Sequence, residues 1–444
     1  MSWKDTFEAL AEAAQAAAGE GHITLSLSAE DTDFVRFNGG LVRQAGSVAQ
    51  GYLDVRRVFG RRHATETITV TGDPSTDVAR LVEALAGLDA TVPTLPEDPH
   101  LLLHTEGGVS ERVDEGELPS ADEAVATILG AAASPSPVDL VGIWQSGALH
   151  RAFASTFGHR HWFTASGFCF DYSVVHSKDR AVKRTYAGTS WSAEALRADV
   201  AVAREALVHL ARPAMVIMPG QYRARLTPAA VEEVFSLLNW GDLGAKSQQT
   251  RASALGKLVA GEVALDPRVT LSEQIEGGLA PGFQGDGFVR PDVVPLIAGG
   301  RFGGALVSPR SALEFGLQTN GADAGETGVS LVMAGGDLPD ADVLRALGTG
   351  VWISNLWYLN HSDKNAARIT GMTRFATFWV EDGQIVAPLS VMRFDDSVYD
   401  LLGSKLEAVG ETVAMLPSTS TYGGRSTTSQ RLPGLLVRDL AFTL

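Results

Sequence analysis

The chain has 444 residues, which is too long for one ordinary hydrophobic core, so we expect two domains. Its net charge of -16, without clusters of Lys and Arg, argues against a surface that binds nucleic acid or anionic lipid. The single cysteine, Cys169, excludes an intramolecular disulfide framework and a zinc site with several cysteine ligands. No apolar run of about 18 residues could cross a bilayer and no signal-peptide pattern opens the chain, so we expect a cytoplasmic protein.

The first part of the chain combines helical and strand patterns. Apolar residues at helical spacing predict a helix over 3–18, and Asp73 is a suitable N-cap for a second helix from Pro74 to Leu88. Alternating apolar and polar residues between these helices predict a meander of antiparallel strands. These patterns indicate an α+β fold.

Two histidine pairs raise the question of a metal site. His100 and His104 have the spacing of some ligand pairs on a helix, but the leucines between them indicate a short apolar contact segment. His159 and His161 lie on one face of a predicted strand, and with Cys169 they could form a metal set. We favour a solvated or stacked histidine pair, because the sequence shows no further ligand or supporting group.

The best domain boundary is the Arg212-Pro213 step, which ends an amphipathic helix that begins near Ser192. It divides the chain into residues 1–212, with antiparallel strands and helices, and residues 213–444. Strand, hairpin and turn signals follow one another in the second domain, so we expect it to be β-rich, as a barrel or a sandwich. Its GGRFGG segment joins strand to strand and lacks a Gly-Lys-Ser/Thr ending, which argues against a phosphate loop.

A helix is predicted to begin at Thr227-Pro228, where a cap residue is followed by proline at the first helical position. Glu232 and Glu233 are consecutive on this helix, so they face different directions and cannot act as a paired acid and base. We expect both side chains to be solvated, as surface glutamates usually are.

The stretch from Gly348 to Phe394 contains three apolar runs that are typical of strands. A polar loop from Asn360 to Thr370 is predicted between the first two runs. The Asp382-Gly383 step predicts a tight hairpin between the last two. Long polar loops on a rigid sheet often bind ligands.

Several segments of the chain, in their order, resemble the TldD/PmbA family. They are FVRFNGGLVRQAGSVAQGYLDVRRVFGRRHAT, ALGKL, QGDGFVRPDVVPLIAGGRFGGAL, LQTNG, the stretch Gly348 to Phe394 with WVEDGQI, and TYGGRSTTSQRLPGLLV. The resemblance covers about residues 5–444. It rests on the ordered set of segments, since no single one is as specific as a zinc signature.

The resemblance implies a particular subunit type. That family pairs two homologous subunits into a heterodimeric cytoplasmic peptidase, in which a TldD-like subunit carries a zinc-binding HExxxH helix and a TldE- or PmbA-like subunit lacks it. The corresponding helix of this chain has no histidine. Setting Glu233 on the motif's glutamate places Glu232 and Leu237 at the histidine positions. Setting Glu232 there places Val231 and Ser236 at them, so neither register can hold zinc.

We therefore expect this chain to be the non-zinc, TldE/PmbA-like subunit, with no catalytic residue of its own and with zinc in a TldD-like partner. It would contribute walls of a peptide groove and the dimer interface, and a bound peptide would add as an extended strand. Alternatively, the polar loop simply connects two strands. The loop and its border supply the candidate groove residues Asn360, His361, Asp363, Arg368, Thr370 and Gly371.

Two other functions stay open. The chain could be an autonomous hydrolase with an atypical metal site, such as His159, His161 and Cys169, or with an unidentified nucleophile. The Ser- and Thr-rich segment 417–429 has no histidine and is expected to be a flexible polar loop. The chain could also be a homodimeric protein that binds peptides or small molecules without cleaving them.

Overall fold

The computed structural model describes residues 2–177 and 180–443. The elements that precede the predicted boundary are α1 (Trp3–Ala16), β1 (His22–Asn38), β2 (Leu41–Phe59), β3 (Arg62–Val70), α2 (Pro74–Thr91), a 3-10 turn (Val92–Thr94), β4 (Val109–Asp114), α3 (Ala121–Ala133), β5 (Asp139–Ser155), β6 (Arg160–Ser177), β7 (Arg180–Gly188) and α4 (Ala193–Leu210).

The later elements are shorter and mostly strands. They are β8 (Gly220–Leu226), α5 (Pro228–Asn239), α6 (Ala245–Gln249), α7 (Gly256–Val259), β9 (Leu271–Gln274), β10 (Val293–Ala298), β11 (Arg301–Phe302), α8 (Pro309–Phe315), β12 (Ser330–Met333), a 3-10 turn (Asp340–Asp342), α9 (Val343–Leu347), β13 (Gly350–Asp363), β14 (Arg368–Glu381), β15 (Gln384–Pro388), β16 (Arg393–Ser397), α10 (Val398–Leu401), β17 (Leu406–Pro417) and β18 (Ser429–Phe442). The α+β prediction is confirmed.

The first sheet has 7 strands in the order β3-β2-β1-β5-β6-β4, with β7 beside β6. Neighbouring strands are antiparallel except for β4 and β6, which are parallel. Helices α1 and α2 pack on one face of this sheet through residues such as Phe7 and Leu81, and α3 and α4 pack around Trp144. Phe153 and Phe163 point from the sheet toward the second domain and pack with its Phe283.

The second sheet has 11 strands and closes on itself. Strands β8, β13, β14, β16 and β18 pair in that order, and β18 also pairs with β8, so the five form a closed ring. A closed ring of strands is a barrel, which agrees with the predicted β-rich second domain. Helix α5 packs against β13 and β18. It begins as predicted, with the Thr227 side chain accepting a hydrogen bond from the Ala230 N–H and with Pro228 at the first position.

The predicted boundary at Arg212-Pro213 falls between α4, the last helix beside the first sheet, and β8, the first strand of the second sheet. The Arg212 guanidinium donates to the carbonyls of Ile385 and Val386 in the second sheet. No helix in the described part of the chain is long and apolar enough to span a membrane.

The prediction of a long polar loop from Asn360 to Thr370 is wrong. Strand β13 runs to Asp363 and β14 begins at Arg368, so only residues 364–367 form the turn of a hairpin. Polar side chains do not prevent strand pairing where one face of the strand is exposed. The second predicted turn is confirmed, because Asp382 and Gly383 have φ values of 49° and 75° between β14 and β15.

Candidate functional site

A cavity of about 500 Å³ lies where the two domains meet. Its walls come from β7 and α4 on one side and from α5, β13, β14 and β17 on the other. The face of α5 that points into it carries Pro228, Ala229, Glu232, Glu233 and Ser236. These residues recur at i, i+4 spacing, which places them on one side of the helix.

The prediction that Glu232 and Glu233 are solvated is wrong. Both side chains are only partly exposed and line the cavity, because the first domain covers this face of α5. Burial, followed by the nearby charge of Glu233, raises the pKa of Glu232 to about 8. Burial also raises the pKa of Glu233, against the charge of Lys183. Although the residues are consecutive, their carboxyls therefore influence each other across one cavity.

The basic groups that β7 brings to the cavity already have acidic partners. Lys183 Nζ lies 2.9 Å from Asp171 Oδ2. Arg184 Nε donates to Asp199 Oδ1 at 2.8 Å. The carboxyls of Glu232 and Glu233, in contrast, receive no hydrogen bond from the described residues. The cavity therefore holds two carboxyls without a hydrogen-bonded or ion-paired partner among the described residues.

One edge of β7 is free within the described part of the chain, since β7 pairs there with β6 alone. Four consecutive residues of this strand, 182–185, line the cavity. Side chains alternate between the two faces of a strand, so consecutive residues can line a cavity only along the strand edge. Strands β14 and β17 also approach β7, so an extended chain can pair only with the part of the edge that faces the cavity.

A second cavity, of about 1250 Å³, follows the edge strand β4 and is lined by the glycine-rich segment 277–278 and by Phe283. The buried His161 also lines it, and its Nε2 has no partner among the described residues. This cavity is larger, but α5 and the two unpartnered carboxyls of Glu232 and Glu233 lie at the first one. We therefore take the cavity at α5 as the candidate functional site.

The predicted groove residues lie on the β13–β14 hairpin. Asn360 pairs with Thr370 across the two strands. His361 Nε2 lies 2.9 Å from Oδ2 of the buried Asp242, which follows α5. Burial works to raise the pKa of Asp242, but hydrogen bonds from His361 and the Ala254 N–H hold that pKa below its usual value.

The other hairpin residues also have local partners. Asp363 accepts from the N–H groups of the turn, and Arg368 forms an ion pair with Asp395. The Thr370 hydroxyl donates to the Phe394 carbonyl at 2.9 Å. Gly371 lies close to the aromatic ring of Phe394. None of the six candidates lines the cavity at α5. Their role in a groove stays a prediction.

The side chains of His159, His161 and Cys169, which could have formed a metal site, do not lie together. Cys169 lies eight residues beyond His161 on β6, roughly 26 Å away at the usual rise per residue. Its thiol is buried, and burial raises the pKa of Cys169 to about 12. The two histidines are buried rather than solvated. They pack beside Phe153 and Phe283.

The histidine nearest to this pair comes from a segment that we expected to make only apolar contacts. His104 Nδ1 lies 2.9 Å from His159 Nε2 and 3.0 Å from the Gly287 carbonyl. Burial, followed by the charges of His159 and His104, lowers the pKa of His161 to about 4, so this imidazole is neutral near pH 7. Among residues 2–177 and 180–443, no three His, Cys, Asp or Glu side chains are arranged to hold a metal ion.

Residues 418–428 form no helix or strand, as expected of a loop, but one residue of the segment 417–429 is anchored. Arg425 reaches the first sheet, where its guanidinium donates to the carbonyls of Gly167 at 3.0 Å and Gly147 at 3.3 Å. The Arg425 N–H donates to Glu30 at 3.3 Å. This segment therefore ties the second domain to the first.

The fold and the cavity define an α+β protein with two sheets and a ligand-sized cavity between them. Residues 219–444, half of the chain, match the PmbA/TldA metallopeptidase C-terminal domain. The chain belongs to the PmbA/TldD family. No curated protein matches the sequence.

Solved structures share the whole fold at low sequence identity. TldE from Thermococcus kodakarensis is 14% identical with a TM-score of 0.79, over 99% of this chain and 100% of that one. A candidate modulator of DNA gyrase from Thermotoga maritima is 15% identical with a TM-score of 0.77, over 100% of both chains. A similar candidate from Bacteroides thetaiotaomicron is 13% identical with a TM-score of 0.74, over 99% and 98%.

The residues at α5 do not fit the metal that a metallopeptidase implies. Zinc in such enzymes needs three protein ligands, usually including histidines, with an open position for water. Helix α5 presents Glu232, Glu233 and Ser236 instead, and its sequence contains no histidine. Within the described residues, His209 on α4 is the one imidazole that lines this cavity. We therefore derive no catalytic step through a metal in this chain.

Proposed function

We propose that this chain is the non-zinc, TldE/PmbA-like subunit of a heterodimeric peptidase of the TldD/TldE type. One observation carries the proposal. Helix α5, which corresponds to the HExxxH helix of the zinc subunit, faces the interdomain cavity, yet it presents Glu232 and Glu233 without any histidine. Zinc then belongs to a TldD-like partner, and the cytoplasmic location expected from the sequence is part of the same proposal.

In this role the chain binds and orients peptide. An extended peptide that adds to the free edge of β7 forms main-chain hydrogen bonds that are independent of its sequence. The peptide would then lie beside α5. Strand β13 leads from Asn355 in the cavity wall to Asn360 on the hairpin, a distance of roughly 16 Å in an extended strand. The six hairpin candidates would therefore form the outer end of the groove.

Co-expression tests the proposal. A tagged copy of this chain, produced together with a homologous chain that carries HExxxH, should purify as a one-to-one complex with the mass of a heterodimer in light scattering. The matched control is the same tagged chain produced alone. A homodimer that persists in the presence of the HExxxH chain would contradict the proposal and favour the homodimeric binding protein.

The alternative function, an autonomous hydrolase, can be tested by measuring bound metal and peptide cleavage. The distance along β6 separates Cys169 from His159 and His161, so a metal would need other ligands. Stoichiometric zinc or iron in the chain purified alone, together with peptide cleavage, would favour this alternative over the proposed subunit.

A further inference from the structure

The cavity at α5 has the size and the walls of a site for one long side chain. Its volume of about 500 Å³ falls within the range of small-ligand pockets. Apolar side chains from both domains form much of its lining. They include Val182, Trp352, Phe378 and Ile385.

The two cationic side chains that line the cavity, Lys183 and Arg184, already have acidic partners, although the charge of Lys183 also acts on Glu232 and Glu233. Lys183 is paired with Asp171, and Arg184 is paired with Asp199. Glu232 and Glu233 have no such partner in the described residues. A carboxylate that is removed from water without a partner is unfavourable, and a cation placed beside it offsets that cost.

We propose that this cavity binds the ammonium or guanidinium group of a lysine or arginine side chain, which belongs to a peptide lying on the edge of β7. The inference rests on the proposed function, because that function supplies the peptide. The aliphatic stem packs against Trp352 and Phe378, and the charged head reaches Glu232 and Glu233. The free edge of β7 argues for a peptide rather than a free amine, since its main-chain groups would otherwise remain unpaired.

Binding of the cation is coupled to a proton. Glu232 faces Glu233 on its own helix and Lys183 and Asp171 on the first sheet, and its carboxyl is largely protonated near pH 7. Arg184 on β7 and Glu205 on α4 are the other charged residues of the cavity wall among the described residues. His209 on α4 also lines the cavity, and burial followed by the charge of Arg212 lowers the pKa of His209, which favours its neutral form. A bound cation favours the ionised Glu232, so binding releases a proton and strengthens as the pH rises from 6 to 9.

Calorimetry on the full chain tests the inference with three blocked hexapeptides of otherwise identical sequence. The central residue is lysine, norleucine or glutamate, so that the stem is constant while the charge changes. The lysine peptide should bind at least tenfold more tightly than the norleucine peptide, and the glutamate peptide most weakly. In two buffers of different ionisation enthalpy, the lysine peptide should show proton release near pH 7.

Substitutions assign the effect to the cavity. Glu232→Gln combined with Glu233→Gln should lower the ratio of affinities for the lysine and norleucine peptides at least tenfold. The same double substitution should abolish the proton release. Glu83→Gln makes the same charge change for one residue on the exposed side of α2 and should leave both unchanged. Glu232→Asp should retain part of the preference, which a mere folding defect would not explain. Thermal unfolding of each variant checks that it is folded.

The outcomes separate this inference from the proposed function. Equal binding of the lysine and norleucine peptides, by the chain alone and in the heterodimer, would overturn the inference even if the heterodimer forms. Displacement of the peptide by micromolar divalent cations would show a metal site and would also overturn it. If the lysine preference is present but no heterodimer forms, the proposed function fails and the cavity assignment stands.

Discussion

The carboxyl of Glu232 affects both ligand binding and folding stability. Burial beside Glu233 raises its pKa to about 8, above its ordinary value of 4.5. In the folded chain the proton is therefore retained at a pH where the unfolded chain has lost it. By linkage, the stability falls as the pH rises from the unfolded pKa to the folded pKa, and it is level above that window.

Replacing Glu232 by Gln should remove this pH dependence. Other shifted groups, such as Glu233 and His161, contribute equally to both proteins, so we expect the free energy of unfolding of Glu232→Gln to rise relative to that of the wild type between pH 5 and pH 8. At pH 8 the variant should be more stable by about 2 kcal/mol, a value reduced for the partial exposure of the side chain. Urea unfolding at several pH values measures this, with Glu83→Gln as the control. Parallel pH profiles for wild type and Glu232→Gln would contradict the burial of this carboxyl.

The carboxylate of Asp242 has the opposite character, because it is buried but well partnered. His361 and the Ala254 N–H bond to it, and Lys364 Nζ lies 3.4 Å away. Asp242→Asn should lower the free energy of unfolding at pH 7 by roughly 1 to 3 kcal/mol, since a charged hydrogen-bonding partner is lost. The exposed Asp363→Asn, at the turn of the hairpin, should cost less.

The pH dependence gives a second check on Asp242. Its folded pKa is lowered, so its stabilising contribution is present above the unfolded pKa and is lost as the pH falls through the folded value. The difference between wild type and Asp242→Asn should therefore shrink below about pH 4. A constant difference across the acidic range would contradict the ionic role of Asp242.

The sequence predicted the role of a single residue where its bonding partner is close by in the chain. The Thr227 cap and the following Pro228 are visible in the sequence, because a cap bonds to a residue three positions away. The environment of Glu232 depends on β7 and α4, which are distant in the chain. Nothing near Glu232 signals that contact. The resemblance to the HExxxH helix was the one signal that could have assigned Glu232 and Glu233 to a site.

At the scale of elements, the segment 417–429 connects the domains through Arg425. Arg425→Ala should free this segment from the first sheet, because the guanidinium bonds to Gly147 and Gly167 are lost. Tyr422 is 99% exposed, so chymotrypsin can report on the segment. We expect cleavage after Tyr422 to be several-fold faster in Arg425→Ala than in the wild type.

Arg438→Ala provides the control for this experiment, since Arg438 is exposed on β18 and has no hydrogen bond or ion pair to the first sheet among the described residues. Its cleavage rate should equal that of the wild type. If Arg425→Ala is cleaved no faster than Arg438→Ala, Arg425 does not restrain the segment.

Elements with strong periodicity were predicted from the sequence, and those that depend on distant partners were not. Strands β1, β2 and β3 of the first sheet and the turn at Asp382-Gly383 follow from alternation and turn chemistry. Strand β4 was not predicted, because its polar residues pair with β6, which lies about 50 positions away in the chain. The strand pairing at the polar end of the β13–β14 hairpin was not predicted for the same reason. His361 and Arg368 form ion pairs with Asp242 and Asp395, which are distant in the chain.

At the scale of the whole molecule, the order of several weak segments indicated the family, and the match over residues 219–444 confirms that membership. The cavity between the domains could not be predicted, because its walls come from strands and helices of both sheets. For the whole molecule we propose that the cavity binds peptide while a partner subunit provides zinc.

Reconstitution with a zinc-bearing TldD-like subunit tests this account most directly. Each subunit is purified alone, the two are mixed, and the zinc content and the cleavage rate of a peptide digest are measured. We predict no bound zinc in this chain, one zinc per heterodimer, and cleavage that is at least tenfold faster after mixing than with either subunit alone. Stoichiometric zinc in this chain alone, or no gain in cleavage on mixing, would contradict the account.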